Sequence, residues 1–172
     1  MQPWQQELLD TYFPKRVHDR RKWIDEYPGL RDKTVVHIPA RGNSSRIPKK
    51  NIKMLGGKPL LAYTIESAKM MGVDRIVVNT DSPEIQEVAE QYGAEVPFLR
   101  PASISGGESP PGVASLYAIC HLMAEDYPLD VVVDMYPTTP FRNSTILREY
   151  LEQTRRFGHC VTSAPFDVLP HS

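Results

Sequence analysis

A cluster of basic residues follows a short apolar run near the start of the sequence. The stretch VVHIPARGNSSRIPKKNIKMLGGKPLLAYTI, residues 35–65, carries six cationic side chains and no Asp or Glu. The cations are Arg41, Arg46, Lys49, Lys50, Lys53 and Lys58. Backbone N–H groups of a Gly/Ser-rich turn can surround an anion, and nearby Arg and Lys side chains add charge-assisted bonds to phosphate oxygens. The loop therefore favours a di- or triphosphate ligand, with a solvated basic loop as the alternative interpretation.

The spacing of the glycines excludes two common phosphate-binding motifs. A P-loop requires Gly, four residues and then Gly-Lys-Ser/Thr, whereas this loop reads GNSSRIPKKN. The dinucleotide turn requires Gly-x-Gly-x-x-Gly, and Gly42, Gly56 and Gly57 are spaced differently. A phosphate site in this loop must therefore be built in another way.

The net charge of −1 conceals an uneven distribution of charge along the chain. Outside the six loop cations, 14 Lys and Arg residues stand against 21 Asp and Glu residues. A nucleic-acid-binding protein usually spreads basic residues over its whole footprint. The focused charge therefore argues against nucleic acid and favours a compact anionic ligand in one pocket.

Size and composition are those of one ordinary folded domain. The chain has 172 residues, of which 41% are hydrophobic and 24% charged. No apolar run approaches the roughly 18 residues that span a bilayer, so we expect no membrane insertion. Two cysteines, Cys120 and Cys160, make no disulfide framework, and the polar N-terminus lacks an apolar signal core, so we expect a cytoplasmic protein. The pairs Cys120-His121 and His159-Cys160 point apart, which favours buried thiols over a zinc site.

Strands and helices alternate regularly from Thr34 onward. β-Branched runs predict strands at 34–39, 75–80, 95–99, 130–136 and 160–165. Apolar periodicity predicts helices at 60–72, 83–93, 113–127 and 144–158. The second helix has Ser82 as its cap, Pro83 in its first position and Gly93 at its end. This alternation predicts an α/β fold with a mostly parallel sheet, right-handed crossovers and helices on both faces.

Residues 1–33 do not share this pattern. Helical spacing predicts one short helix before Pro14 and a second from His18 to Tyr27. We interpret the segment as an N-terminal helical extension, a lid or packing arm, beside a domain that covers residues 34–172.

The alternating pattern also predicts where a ligand would bind. In open parallel sheets, ligands bind beyond the carboxyl ends of the strands. The loops expected at that edge are 40–51, 80–82 and 136–143, with 99–112 as a further candidate. The basic loop is therefore on the expected binding edge.

The order of residues in the basic loop carries a family resemblance. IPARGNSSRIPKKNIKMLGGKPLLAYTIESA closely resembles the opening signature of the cytidylyltransferases that activate acidic sugars: the CMP-sialic acid synthetase family with its pseudaminic, legionaminic and Kdo relatives. The similarity continues through IVVNTDSPEIQEVAEQYGAEVPFLRP and VVVDMYPTTPFR, and covers residues 34 to about 165. It implies a Rossmann-like fold of the nucleotide-diphospho-sugar transferase type. It also implies transfer of CMP from CTP to an acidic sugar, with release of pyrophosphate.

The resemblance implies a role for each matching residue. The implied catalytic cations are Arg41, Arg46 and Lys50. The residues implied to bind the nucleotide are Ala40, Arg41, Gly42, Ser44, Lys50, Asn51, Asp81 and Arg100. The substrate-binding residues that we expect are Tyr136, Thr138 and Arg142. Mg²⁺ is the implied cofactor, and Asp134 is its candidate ligand, with a polar residue on the sheet edge as the alternative.

The sequence departs from the family pattern in three places. After Arg100 it reads PASISGGESPPG, with Glu108 as the nearest acid where the family usually has Asp. Tyr136 stands where the family often has a Gln that meets the sugar acid. Family members usually continue into a dimerisation arm and a segment whose Asp residues hold magnesium. We therefore expect a homodimer for a chain with that arm, and CTP binding with slow or no turnover for these 172 residues.

Two other functions remain open at this point. The first is a sugar nucleotidyltransferase that uses a different base or sugar phosphate. The second is a non-catalytic nucleotide-binding module that retains only the phosphate loop.

Overall fold

The structure, a computed structural model, describes residues 33–160 apart from residues 45, 108, 110, 126 and 159. The strands are β1 (Thr34–Pro39), β2 (Met54–Leu55), β3 (Lys58–Pro59), β4 (Arg75–Asn79) and β5 (Val131–Asp134). The α-helices are α1 (Leu60–Lys69), α2 (Pro83–Gln91), α3 (Pro111–Ala124) and α4 (Ser144–Phe157). Short 3-10 helices cover Lys50–Ile52 and Ala102–Ile104. The helices predicted within residues 1–33, and the strand predicted at 160–165 beyond Cys160, lie outside the described residues.

The central sheet is parallel and has the order β4-β1-β5. β1 lies in the middle, and its Val35, Val36 and Ile38 are fully buried, as expected for a parallel strand covered on both faces. The register places His37 beside Val77 of β4 on one side and beside Asp134 of β5 on the other. The predicted α/β fold with a mostly parallel sheet is confirmed.

Helices cover both faces of this sheet. Val36 and Ile38 pack in one core with Leu61 and Ile65 of α1, Ile85 and Ala89 of α2, and Leu147 and Leu151 of α4. Val35 and Val77 pack in a second cluster with Leu122 of α3. Because successive residues of a strand point to opposite faces, His37 lies on the same side as Val35, facing α3.

α2 begins at the residue that its sequence predicts and ends at Gln91, two residues before the predicted end. The Ser82 hydroxyl accepts a hydrogen bond from the Ile85 N–H at 3.4 Å, and Pro83 is the first helical residue. Gly93 follows the helix with φ +76°, which suits glycine. The capping role of Ser82 is thus confirmed. In the part of the chain that the structure describes, no helix combines the length and apolar character needed to cross a bilayer.

The segment predicted as a strand at 95–99 pairs with β4 and with Thr80, the residue after it, through isolated bridges only. Isolated parallel bridges join Val77 to Glu95 and Thr80 to Leu99. Pro97 lies between them and lacks the N–H group that a continuous ladder requires. The prediction of a continuous strand is therefore wrong. The segment still runs along the edge of β4, so Arg100 lies at the carboxyl end of β4, where its N–H donates to the Thr80 carbonyl.

Burial explains the state of the Cys120 thiol. Cys120 lies on α3 and is buried, and burial raises the pKa of its thiol to about 11. The side chain therefore stays a neutral thiol near pH 7. This environment agrees with the interpretation of Cys120 as a buried thiol.

Candidate functional site

A cavity of about 340 Å³ lies where β1 and β5 end and the basic loop begins. Its lining includes seven residues that the sequence nominated: Arg41, Ser44, Lys50, Asn51, Arg100, Tyr136 and Thr138. The rest of the lining comes chiefly from residues 104–107, Ser109 and Ala114, between Arg100 and the first turns of α3. The structure thus brings the basic loop, the segment after β4 and the turn after β5 to one concave surface.

The basic loop turns only some of its cations toward this cavity. Lys49 has φ 50° and ψ 35°, in the left-handed region, immediately before the 3-10 helix that carries Lys50. Lys50 lines the cavity, whereas the Lys49 ammonium lies outside it, 2.9 Å from Glu84 Oε1. Arg46 is exposed and is not among the described residues of the lining. With this conformation at Lys49, the side chains of the two consecutive lysines lie in different places: Lys50 at the cavity and Lys49 beside Glu84.

The start of the loop packs closely against the end of β4. Ala40 is fully buried, and the Gly42 N–H donates to Asp81 Oδ1 at 2.7 Å. A Cβ atom at Gly42 would lie 2.8 Å from Ser82 Cβ, so any larger residue forces the loop away. These contacts fix the start of the loop against the segment after β4. Ala40, Gly42 and Asp81 are not among the described residues that line the cavity.

Arg100 places a buried cation in the cavity. Its side chain donates from Nη2 to the Asn79 carbonyl at 3.2 Å, and the residue is only 8% exposed. Burial lowers the pKa of its guanidinium, the charge of Asp81 raises it, and the charge of Arg41 lowers it. Arg41 in turn donates weakly to the Gly106 carbonyl at 3.4 Å. Two like charges therefore share one cavity.

Two buried polar atoms of the lining have no hydrogen-bond partner among the described residues. They are the hydroxyl oxygen of Ser44 and Nε of Arg100. An unpaired buried polar group costs about 1–3 kcal/mol, so proteins rarely retain one without a use. Both residues line the cavity, and the two atoms themselves are enclosed within its wall.

The turn after β5 supplies the other wall. Tyr136 and Thr138 line the cavity, and burial together with the nearby Asp134 raises the pKa of the Tyr136 hydroxyl. Arg142 is not among the described lining residues. Its guanidinium donates to the Tyr136 carbonyl at 2.6 Å, to Thr139 Oγ1 at 3.0 Å and to Thr64 Oγ1 at 3.1 Å. Arg142 thus braces the turn that presents Tyr136.

Asp134 ends β5, belongs to a polar network there, and is not among the described residues that line the cavity. Its Oδ1 accepts from His37 Nδ1 at 2.6 Å, and its Oδ2 accepts from the Ser115 hydroxyl at 2.9 Å. Burial raises the pKa of the Asp134 carboxyl, but the His37 and Ser115 contacts outweigh it, so the pKa falls below its ordinary value. Asp134 is therefore a carboxylate at neutral pH. His37 Nε2 lies 3.2 Å from Asn79 Nδ2, which donates to the Ala114 carbonyl at 2.7 Å.

Three members of this network, His37, Asn79 and Ser115, were absent from the predicted site. The histidine within the otherwise apolar run VVHIP was the one sequence signal that could have indicated this network. Within the described ranges, no three His, Cys, Asp or Glu side chains form a cluster that could hold a metal ion.

Comparison with known proteins identifies the family. The model of the cytidylyltransferase family matches residues 35–165, which is more than half of the chain. The chain belongs to the cytidylyltransferase family. The match includes the basic loop, the segment after β4 and the turn after β5, so the residues that line the cavity all lie within it.

Two relatives illustrate the similarity in sequence. A pseudaminic acid cytidylyltransferase of Campylobacter jejuni is 43% identical over 122 residues, which are 70% of this chain and 53% of the relative. A CMP-N,N'-diacetyllegionaminic acid synthase of Legionella pneumophila is 37% identical over 139 residues, which are 77% of this chain and 58% of the relative. The chain therefore spans about half the length of the curated relatives that it matches.

A solved structure shows the same fold. It is a CMP:2-keto-3-deoxy-manno-octonic acid synthetase complexed with CTP, and it covers 74% of this chain with a TM-score of 0.60 and 24% identity. The match covers 49% of that protein. The expected nucleotide-diphospho-sugar transferase-like fold is thereby confirmed.

Proposed function

We propose that this cytidylyltransferase domain binds CTP in the cavity and transfers CMP to an acidic sugar, with release of pyrophosphate. The observation that carries the proposal is the composition of the cavity wall. Arg41, Lys50 and Arg100 supply positive charge, and Ser44 Oγ and Arg100 Nε are buried there without a described partner. A polyphosphate offers both the negative charge and the acceptor oxygens that such a wall lacks.

Cations held at fixed positions would favour the proposed transfer of CMP. The oxygen of a sugar hydroxyl forms a bond to the α-phosphorus of CTP and releases its proton to solvent, while the bond to pyrophosphate breaks. Negative charge builds on the phosphate and leaving oxygens. Arg41 and Lys50 would stabilise that charge, with Arg46 joining them from the exposed side of the loop. Asn51 and Arg100 would hold the rest of the nucleotide. Holding CTP and the sugar in the reacting geometry would itself account for much of the rate acceleration.

The sugar is assigned to the β5 side of the cavity. Tyr136 and Thr138 line that side, and Arg142 holds the Tyr136 backbone in place. The names of the two relatives, which concern pseudaminic and diacetyllegionaminic acid, support an acidic sugar as the acceptor. A cytoplasmic location and, for a chain that carries the family's dimerisation arm, a homodimer belong to this proposal.

Magnesium is the proposed cofactor, and Asp134 the residue that would hold it. Each Asp134 oxygen accepts one hydrogen bond from a described residue, which leaves lone pairs for a cation. Magnesium commonly takes one or two carboxylates and completes its shell with phosphate oxygens and water. Asp134 is not among the described residues that line the cavity, so the described residues would offer the ion one carboxylate at most. Bound there, the ion would neutralise triphosphate charge.

Calorimetric titration with CTP tests the nucleotide site. Arg41→Ala and Lys50→Ala should each raise the Kd about tenfold or more, because each removes a charge-assisted bond to phosphate. Lys53→Ala is the matched control, since it removes the same charge from an exposed position of the same loop. Equal affinity in all four proteins would remove the phosphate-loop assignment.

Two further measurements separate the competing functions. A thermal-shift series with CTP, UTP, GTP and ATP identifies the base, because the nucleotide that binds the folded state raises the melting temperature most. Pyrophosphate release with and without acidic sugars separates an enzyme from a non-catalytic nucleotide-binding module.

A further inference from the structure

Asn79 ends β4 and is fully buried, although asparagine is uncommon within strands. Val77, two residues earlier on the same strand, packs with Leu122 of α3, so the Asn79 side chain also lies on the face toward α3. Its Nδ2 donates to the Ala114 carbonyl, in the first turn of α3, at 2.7 Å. Because a carbonyl only accepts, the amide must have its nitrogen at this position.

The same amide determines which nitrogen of His37 carries the proton. An amide nitrogen only donates, so His37 Nε2, 3.2 Å from Asn79 Nδ2, accepts. The proton of the imidazole then lies on Nδ1, which donates to Asp134 Oδ1 at 2.6 Å. The hydroxyl of Ser115 donates to the other oxygen of Asp134 at 2.9 Å. Since Ala114 and Ser115 are consecutive, the bonds close into a ring, here called the α3 ring, with the members Ala114, Asn79, His37, Asp134 and Ser115.

The α3 ring fastens one end of a helix to the described central sheet. Each of its three strands, β4, β1 and β5, contributes one member, and α3 contributes two. The fastened end of α3 is the one beside the cavity, because Ala114 lines the cavity together with residues 104–107 and Ser109, which precede the helix. The ring therefore fixes this wall of the cavity relative to the sheet.

Asn79 also holds a second part of the same wall. Its backbone carbonyl accepts from Arg100 Nη2 at 3.2 Å and from the Ala40 N–H, at the start of the basic loop, at 2.9 Å. One buried residue thus contacts Arg100, the first turn of α3 and the beginning of the basic loop. Apart from Arg100, the lining residues from 104 to 114 are uncharged, which suits a nucleoside better than a phosphate.

Stability alone does not account for an asparagine at this position. Asn79 Oδ1 is buried and has no hydrogen-bond partner among the described residues. An unpaired buried oxygen destabilises a fold, whereas an apolar side chain of similar shape avoids that cost. What the amide holds in place is the better explanation for its presence.

We propose that Asn79 and Ser115 are positioning residues which, through the α3 ring, hold this wall at the distance from the basic loop that the nucleoside part of CTP requires. The inference rests on the proposed function and deepens it. Neither residue is among the described lining residues, so each acts through the wall that it anchors. Arg41 and Lys50 would hold the phosphates independently of the ring.

The test compares CTP with inorganic tripolyphosphate, which lacks the nucleoside. Calorimetry in EDTA gives a Kd for each ligand, and their ratio is the gain in affinity that the nucleoside provides. Ser115→Ala should reduce this gain about fivefold and Asn79→Leu about tenfold, with the tripolyphosphate Kd within about twofold of the wild-type value, because they remove one and two bonds of the ring. A merely structural role would lower the affinity for both ligands alike.

Two substitutions of buried polar residues away from the cavity serve as matched controls. Ser67→Ala removes a buried hydroxyl that donates to the Tyr63 carbonyl within α1. Thr34→Val replaces a buried residue at the opposite end of β1, whose hydroxyl oxygen accepts from Arg155 at 3.3 Å. Both should leave the nucleoside gain unchanged. If Asn79→Leu fails to fold, Ser115→Ala decides alone, since alanine is favourable in a helix.

Each remaining outcome counts against the positioning role. An unchanged nucleoside gain in Ser115→Ala overturns it, and so do equal losses for the two ligands. Equal affinity of the wild type for CTP and tripolyphosphate also overturns it, but leaves the phosphate site standing. Failure of the wild-type chain to bind either ligand would instead defeat the proposed function, and the inference with it.

Discussion

Asn51 Nδ2 donates a hydrogen bond to the backbone carbonyl of Arg41 at 2.8 Å, across the width of the basic loop. Asn51 is only 5% exposed, so water competes little for this bond. The bond joins the residue that opens the loop to the 3-10 helix that carries Lys50. It therefore fixes the distance between the backbone positions of the two loop cations that line the cavity, Arg41 and Lys50.

Replacing Asn51 by alanine should destabilise the protein and weaken nucleotide binding together. The substitution leaves the Arg41 carbonyl without its partner, which costs about 1–3 kcal/mol when the group is buried. Urea unfolding measures the loss of stability. Asn43→Ala, an exposed asparagine of the same loop, should change the free energy of unfolding by less than about 0.5 kcal/mol. Equal losses in the two variants would contradict this account of the loop.

Gly42→Ala should destabilise the protein through one identifiable contact. The new Cβ would meet Ser82 Cβ at 2.8 Å, and overpacking of this kind costs about 1–3 kcal/mol. Ser82→Gly removes the opposing atom, and glycine as a helix cap loses only a few tenths of a kcal/mol. The double variant should therefore unfold at a higher temperature than Gly42→Ala alone. Strictly additive losses would show that the clash is not the cause.

Lys49→Gly should stabilise the protein, although it removes an ion pair. Lys49 holds a left-handed conformation that costs a residue with a side chain about 1 kcal/mol, whereas its exposed pair with Glu84 contributes little. Lys53→Gly is the control: glycine adds freedom to the unfolded chain at both positions, but Lys53 has φ −65° and an extended backbone, so no strain is relieved there. Chemical denaturation should move the two midpoints in opposite directions. A lower midpoint for Lys49→Gly would refute the strain argument.

Asp74 should contribute to the acid sensitivity of the fold. The Lys33 ammonium lowers the pKa of the Asp74 carboxyl, burial raises it and the Thr34 N–H lowers it, with a net fall. A carboxylate of lowered pKa stabilises the folded state above the unfolded value, about 3.9, and that contribution is lost as pH falls through the folded value. Asp74→Asn should therefore lose less stability than the wild type between about pH 5 and pH 3. Parallel unfolding curves over that range would argue against the contribution.

The alternation of strands and helices was visible in the sequence because short β-branched runs alternate with segments whose apolar residues recur every three or four positions. The capping signals at Ser82, Pro83 and Gly93 gave the limits of α2 for the same local reason. The strand at 95–99 was overpredicted because its apolar composition outweighed Pro97, whose missing N–H interrupts the ladder.

The sequence predicted the part of the candidate site that lies in one continuous segment. Arg41, Ser44, Lys50 and Asn51 share a loop, and the structure brings them to one cavity. The contact between His37 and Asp134 spans 97 residues and depends on the register of β1 against β5, which no local pattern specifies. The bracing role of Arg142 is equally non-local, because one of its partners is Thr64 on α1.

The meeting of Arg41 and Arg100 makes the unliganded domain sensitive to its solvent. Burial lowers the pKa of Arg100, Asp81 raises it, and Arg41 lowers it to a smaller extent, so the net fall reflects a cation that burial separates from water. A small anion that binds beside Arg41 and Arg100 would compensate this loss of hydration and stabilise the folded state by mass action. Melting temperatures measured in phosphate or sulfate buffers should therefore exceed those measured in chloride at equal ionic strength. The choice of buffer anion then becomes a variable in every comparison of stability for this protein.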